Sequence, residues 1–307
     1  MSFGNLEWGL LCFNILNSLV HLGNTYLLYK LSGKKISAIL YGLNPFVLIE
    51  GIANVHNDIF MVFFILIALF ELLRKKKLIP GLISLAFATD IKYYAILLLP
   101  LIVIYYFKDT NLKTRIIKCI EYGMLFTIMI IIPYLFYFRD LTVFMGLVTQ
   151  RDRVAKGLYL FIMVLTRLKV DFLKNASLII FIVAYFCTNI KLLINKNIHF
   201  RKEMQKLFTY ILAFLFLLIT NFQPWYFIVL STFMIWQKAS DIKLIVQMQI
   251  LLLFANIVFL MYSEYITYGI PFFISYIIGI LICTIVNSNF MKNQILQCKE
   301  IMKKMKG

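Results

Sequence analysis

Apolar runs recur along this chain from one end to the other, separated by basic or polar turns. They lie near 8–29, 36–53, 58–73, 78–90, 93–107, 115–137, 176–194, 206–222, 225–237, 244–262 and 270–287, with a weaker amphipathic run at 157–170. Backbone that enters hydrocarbon must satisfy its N–H and C=O groups internally, which favours helices. The pattern therefore predicts an all-α fold, a polytopic transmembrane helical bundle of about 11 membrane segments. Runs such as 78–90 and 93–107 fall short of the roughly 20 residues that cross about 30 Å of hydrocarbon, so tilted, broken or partly inserted segments are expected there. Hydrophobic residues make up 62% of the chain and mean hydropathy is +0.86. Soluble domains average roughly 45–50% apolar residues, so a single water-exposed globule is excluded.

Alternate turns carry the positive charge. One set holds Lys30, Lys34, Lys35, Arg74 to Lys77, Lys108, Lys113, Arg115, Lys118, Lys191, Lys196, Arg201, Lys202, Lys206, Lys238, Lys243 and the lysines from Lys292 onward, 23 of the 31 Lys and Arg residues. The other side holds Lys92, Arg139, Arg151, Arg153, Lys156, Arg167, Lys169 and Lys174. Basic residues concentrate in cytoplasmic loops. The first set is then inside with the C-terminus, and the first residues, with Glu7, are outside. The net charge of +17 thus reports topology, and no nucleic-acid partner is expected. Cys12, Cys119, Cys187, Cys283 and Cys298 lack metal spacing and are expected to be buried small hydrophobes.

Polar residues gather at the outer side instead. Asn44-Pro45 and Glu50 belong to the second run, followed by the turn His56-Asn57-Asp58, then Asp90-Ile91-Lys92-Tyr93, the loop 138–156, and Gln223-Pro224-Trp225-Tyr226. Ionisable groups at the end of a span are costly unless they face water or a partner, which makes them functional candidates. Asp58 is equally an ordinary helix N-cap. Lys92 reads either as a cation for a lipid phosphate or as a snorkelling lysine. Trp225 and Tyr226 fit an interfacial aromatic belt or a stacking platform for a sugar or prenyl chain. The spans 58–73 and 78–90 form a hairpin whose outer ends are Asp58 and Lys92, and neighbouring helices pack about 8–10 Å apart. The turn and the lysine are therefore expected to converge, with Lys92 a surface lysine whose loss spares the fold. No Gly-rich phosphate loop, HExxH or GxSxG motif is present, and neither a metal nor a cofactor is expected.

The succession Asn44-Pro45, Glu50, His56-Asn57-Asp58, a span, a basic turn, Ile91-Lys92-Tyr93 and Pro100 resembles the integral-membrane GT-C-type glycosyltransferases. It is most similar to the bacterial alpha-mannosyltransferases that use polyprenyl-phosphate sugars. Val55 stands where that group has glycine, and Pro224-Trp225-Tyr226 is similar to a late turn of theirs. The resemblance covers about 40–107 and 221–237. It implies transfer of a hexose, mannose in the family, from a polyprenyl-phosphate sugar donor to a glycan or glycolipid acceptor on the outer face of the lipid bilayer. An acidic residue is the general base, and cations or polar groups stabilise the departing phosphate. Carried onto this chain, the resemblance makes Asp58, His56 and Glu50 the catalytic candidates. Asn44, Asn57, Lys92, Tyr93, Gln223, Trp225 and Tyr226 become the substrate-binding candidates.

The family's catalytic acid usually lies in a first outer loop between its first two spans. Here Met1 to Glu7 lead straight into a span. The expectation is a single glycosyltransferase-like domain over 1–307 without that first span and loop. Either Glu7, Glu50 or Asp58 then takes the base role, or the main catalytic group is missing. Two rivals stay open: a polytopic transporter or lipid flippase, with 78–90 and 93–107 as a broken pair, and a non-catalytic membrane partner in polysaccharide assembly. Richness in Ile, Lys and Asn is compatible with an AT-rich bacterial genome, and the expected location is then the plasma membrane, as a multi-pass protein.

Overall fold

The computed structural model describes residues 6–136, 170–195, 197–218, 223–235, 242–243, 245–251 and 253. The expected outer loop 138–156, most of the run 157–170, and the runs 244–262 (beyond a few residues) and 270–287 lie outside the described residues. The described chain is helical: α1 (Leu6–Ser32), α2 (Lys35–Gly42), the π-helix α3 (Val47–Ala53), α4 (Asp58–Leu73) and α5 (Leu78–Ile91) come first. They are followed by the 3-10 helix α6 (Tyr93–Leu98), α7 (Leu99–Tyr106), α8 (Leu112–Leu135), α9 (Val170–Ile194), α10 (Phe200–Leu217) and the 3-10 helix α11 (Pro224–Ile235).

Two described helical segments are long and apolar enough to cross a membrane, Leu112–Leu135 and Phe172–Ile194. The pair Lys35–Gly42 and Val47–Ala53, bent by 59°, is a third if it counts as one broken span. α1 is long enough but is not among them, because Asn14, Asn17, His21 and Asn24 interrupt its apolar sequence at helical spacing. α8 and α9 leave Ile120, Met124, Ile128, Ile179, Ile180 and Phe186 exposed, an apolar exterior that suits lipid and not water.

α4 is the centre of the bundle. Its Ile59, Met61, Val62, Ile65, Leu66, Ala68 and Leu69 are fully buried, packed among α1, α5 and α11. α4 and α5 approach closely because Gly81 lacks a side chain: a Cβ there would stand 3.2 Å from the Ala68 carbonyl oxygen. Ser84 Oγ, one turn further on, donates to the Phe64 carbonyl at 2.9 Å. Small residues of this kind let helix backbones meet in apolar surroundings.

Hydrogen bonds tie four basic turns into one end of the bundle. Arg74 donates to the carbonyls of Lys30 and Leu31, the C-terminal end of α1. Tyr106 Oη donates to the Lys76 carbonyl. Arg115, only 2% exposed, spreads its guanidinium over the carbonyls of Leu193, Asn195, Lys108 and Thr110. Carbonyls at the end of α9 and in the turn after α7 thus share one buried cation. Three cysteines are described, all unpaired, and Cys187 is exposed on α9 rather than buried.

Candidate functional site

The end of the bundle away from the basic turns is assembled from departures from α-helix. Pro45 has no N–H to continue the ladder, so α2 stops at Gly42 and the chain bends before α3. Asn44 stabilises that break: its Oδ1 accepts from Phe46 N at 3.1 Å, and its Nδ2 donates to Gln249 Oε1 at 2.6 Å. Gln249 in turn donates to the Phe227 carbonyl of α11 at 2.9 Å. Asn44 therefore locks the bend against α11, with its amide committed to protein.

α3 is a seven-residue π-helix, a form that is rare and concentrated at functional sites. It holds Glu50 fully buried. The Glu50 carboxylate accepts from Asn54 Nδ2 at 3.1 Å and lies 3.6 Å from His56 Nε2. The chain returns toward α4 through Val55 at φ 57°. A β-branched residue is poorly suited to the left-handed region, which glycine enters freely, and this is the position where the resembling family has glycine. Val55→Gly is expected to raise stability by about 0.5–1 kcal/mol, the balance of relieved backbone strain over lost chain entropy. Thermal unfolding in detergent reads the sign, and a fall in melting temperature contradicts it.

His56 stacks on Trp225 with ring centroids 3.8 Å apart and planes 15° from parallel. Burial first, and the nearby Lys92 charge second, push its pKa down to about 4, and the Glu50 carboxylate at 3.6 Å does not reverse this. The imidazole is neutral at pH 7, so its contact with Glu50 is not an ion pair. The unfolded chain, with a histidine near pKa 6.5, binds more protons between about pH 6.5 and 4, so His56 lowers stability as pH falls through that window. The fluorescence of Trp225, isolated by subtracting a Trp225→Phe variant, is expected to quench as His56 protonates, with a midpoint near pH 4. A midpoint near 6.5 would show an unstacked, solvated histidine.

Asp58 opens α4, with Asn57 in the cap position before it. Asn57 is exposed and makes no side-chain cap bond; its carbonyl receives the N–H of Phe60 and Met61. The fully buried Asp58 carboxylate accepts from Tyr94 Oη at 3.3 Å through one oxygen and faces Lys92 Nζ at 3.6 Å with the other. Lys92 closes α5 in extended conformation at φ −147° and ψ 111°. Its ammonium stands 4.6 Å from the centre of the Tyr226 ring, close enough for a cation–π attraction. Lys92 is thus an internal cation with two partners and not a snorkelling one; its side chain is 20% exposed.

Trp225 and Tyr226 begin the 12-residue 3-10 helix α11, far longer than the usual three or four residues of that form. The rest of α11, Phe227 to Ile235, is buried, so packing holds this geometry. The Gln223 carbonyl accepts the Tyr226 N–H at 3.2 Å. Tyr93 is 50% exposed and meets Tyr94 and Phe214 edge-on.

The structure brings seven of the ten sequence candidates into two adjoining groups. Glu50, His56 and Trp225 form one; Asp58, Lys92 and Tyr226 form the other, with Tyr93 at its rim. Asn57 lies on the exposed turn, Gln223 precedes α11, and Asn44 serves the bend. Sequence reasoning missed Tyr94, whose partner Asp58 lies 36 residues away in the chain. It also missed the α1 side chains behind the site. Asn24 donates to Tyr41 Oη at 2.9 Å and to the Ile59 carbonyl at 3.0 Å, and His21 stacks on Tyr41. The spacing Asn14, Asn17, His21, Asn24 is a one-face helical pattern and was the signal that marked this side of α1 as interior.

Residues 25–108 match the family described as alpha-(1->6)-mannopyranosyltransferase, N-terminal domain. This part of the chain is similar to that domain; it contains Asn44, Glu50, the His56 to Asp58 turn, Lys92 and Tyr93, and excludes Gln223, Trp225 and Tyr226. No curated protein and no solved structure matches the chain.

Proposed function

We propose that this chain is a membrane-embedded, GT-C-like hexosyltransferase. It takes a mannose-like sugar from a polyprenyl phosphate and joins it to a hydroxyl of a cell-envelope glycan or glycolipid at the outer face of the bacterial plasma membrane. The observation that carries this reading is the pairing of a buried lysine–aspartate site with a carboxylate–imidazole–indole group, opposite the basic turns. The similarity of residues 25–108 to a mannopyranosyltransferase domain supports a glycosyltransferase-like role.

In this reading Lys92 receives the phosphate of the donor. Glu50, with His56 held beside it by Trp225, accepts the proton of the acceptor hydroxyl. The hydroxyl oxygen forms the new bond to the sugar's C1 as the C1–O bond to phosphate breaks. Polyprenyl phosphate leaves with the bonding electron pair, its charge met by the Lys92 ammonium. Asp58 positions Lys92 and accepts from Tyr94, and the base role in this reading belongs to Glu50. We assign the whole of 1–307 to one such domain.

The test is transfer by the purified chain in lipid nanodiscs, with radiolabelled polyprenyl-phosphate mannose as donor and a short mannoside as acceptor. Labelled product that requires the lipid-linked donor, and does not form from a nucleotide sugar, is the expected result. A transporter is the second reading, favoured by the 59° break at Asn44-Pro45, since interrupted helices line many transport sites. Movement of the intact donor across a sealed vesicle, without product, would establish it and overturn the transferase.

A further inference from the structure

Lys92 is already neutralised before any ligand arrives. Its ammonium faces a carboxylate that is fully buried, 3.6 Å away, and Tyr94 holds that carboxylate's other oxygen. A phosphate that draws Lys92 to itself leaves two negative groups around one positive group, in a place where Asp58 has no water to turn to. An isolated ionised carboxylate in such surroundings is strongly unfavourable and neutralises by taking a proton. We propose that the site takes up a phosphate-diester anion together with one proton, and that the proton is bound by Asp58. The inference rests on the reading that Lys92 receives the donor's phosphate. Charge balances at each stage: lysinium with aspartate before binding, lysinium with phosphate and a neutral aspartic acid after it. Departure of the anion returns the proton.

The other groups around Asp58 do not supply this proton uptake. α6 contributes Tyr94, with Tyr93 beside it, and α11 contributes Tyr226 under the ammonium. α1 contributes Asn24, which donates to Tyr41 Oη of α2 and to the carbonyl of Ile59, next in the chain. The turn before α4 contributes His56, whose neighbour is Glu50 on α3. The competing acceptors are Asp90 on α5, two residues before Lys92 and with both carboxyl oxygens buried and without a hydrogen-bond partner, and His56. The His56 side chain is 25% exposed, and the anion does not take its partner away. Asp58 is the group stripped of its counter-charge.

The experiment is calorimetric binding to the full chain in nanodiscs of zwitterionic lipid, in buffers of different ionisation enthalpy. The probe is farnesyl methyl phosphate, a diester that stays ionised across the range and so brings no titration of its own. About one proton taken up per bound diester is expected, with Kd weakening about tenfold per pH unit above neutrality. Dimethyl phosphate, the same anion without a chain, is expected to bind more weakly with the same proton count, which separates headgroup from chain. Asp58→Asn is expected to bind with no proton uptake and no pH dependence, and His56→Gln and Asp90→Asn to keep the uptake. Saturable binding by the unaltered chain without proton uptake would overturn the inference while leaving the transferase reading intact. Uptake lost in His56→Gln or Asp90→Asn and kept in a folded Asp58→Asn would overturn the assignment to Asp58. No diester binding at any pH would overturn the reading of Lys92 itself, and the inference with it.

Discussion

Replacing Arg115 by alanine is expected to cost about 3 kcal/mol or more of stability, because four carbonyls lose one buried cation at once. The guanidinium reaches Leu193 and Asn195 at the end of α9 and Lys108 and Thr110 after α7, with Asn111 capping α8 beside it. It therefore joins three helices at the end of the bundle that carries the basic turns. Lysine keeps the charge but has no planar fork to span two helix ends, so Arg115→Lys is expected to recover less than half of the loss. Equilibrium unfolding in mixed micelles gives the magnitude, and hydrogen exchange gives the place: residues 108–111 and 193–195 are expected to lose protection first. A loss below about 0.5 kcal/mol, the level of an ordinary surface substitution, would show that water replaces the guanidinium.

The second large effect is expected at Lys92, and it reverses what the sequence suggests. Taken as a surface lysine, Lys92 would be dispensable for folding. With Asp58 fully buried 3.6 Å away, Lys92→Ala strands an uncompensated carboxylate. A cost of about 3–5 kcal/mol is expected, as for other buried pairs broken on one side. Asp58→Asn in the same chain removes the stranded charge, so the double variant is expected to regain most of that stability. The cycle's coupling term isolates the pair from the packing of the lysine stem. Equal stability in Lys92→Ala and the unaltered chain would mean that Asp58 is already neutral or reached by water.

The convergence of Lys92 with the His56-Asn57-Asp58 turn was legible in the sequence because a hairpin fixes which ends meet, whatever its side chains do. The grouping of basic turns was legible for a similar reason: loop charge follows the side of the membrane, and Arg74, Tyr106 and Arg115 then tie those loops together. Helix type was not legible. Nothing in Val47–Ala53 announces a π-helix, and an apolar run such as Pro224–Ile235 reads as a span; both forms are imposed by packing and by the Asn44–Gln249 link across 205 residues. Of the expected membrane segments, the described residues show two helices long and apolar enough to cross, or three with the bent pair at Pro45, because the shorter runs break at Pro45 and at Lys92. Individual roles were least legible of all. Asp58 looked like a cap, yet its carboxylate reaches forward 36 residues to Tyr94, a partner that no local pattern reveals.

The most direct measurement is photolabelling of the chain, in nanodiscs, with a diazirine-bearing farnesyl phosphate competed by polyprenyl-phosphate mannose. If the lipid phosphate belongs at the Asp58–Lys92–Tyr226 site, mass spectrometry finds adducts on the peptides carrying Lys92 to Tyr94 and Trp225 to Tyr226. That labelling falls when the sugar-bearing lipid is added and is unchanged by a nucleotide sugar. Saturable labelling confined to the basic turns at Arg74 to Lys77 or Lys108 to Arg115, with none at Lys92, would place the lipid phosphate at the opposite end of the bundle and contradict the proposed site.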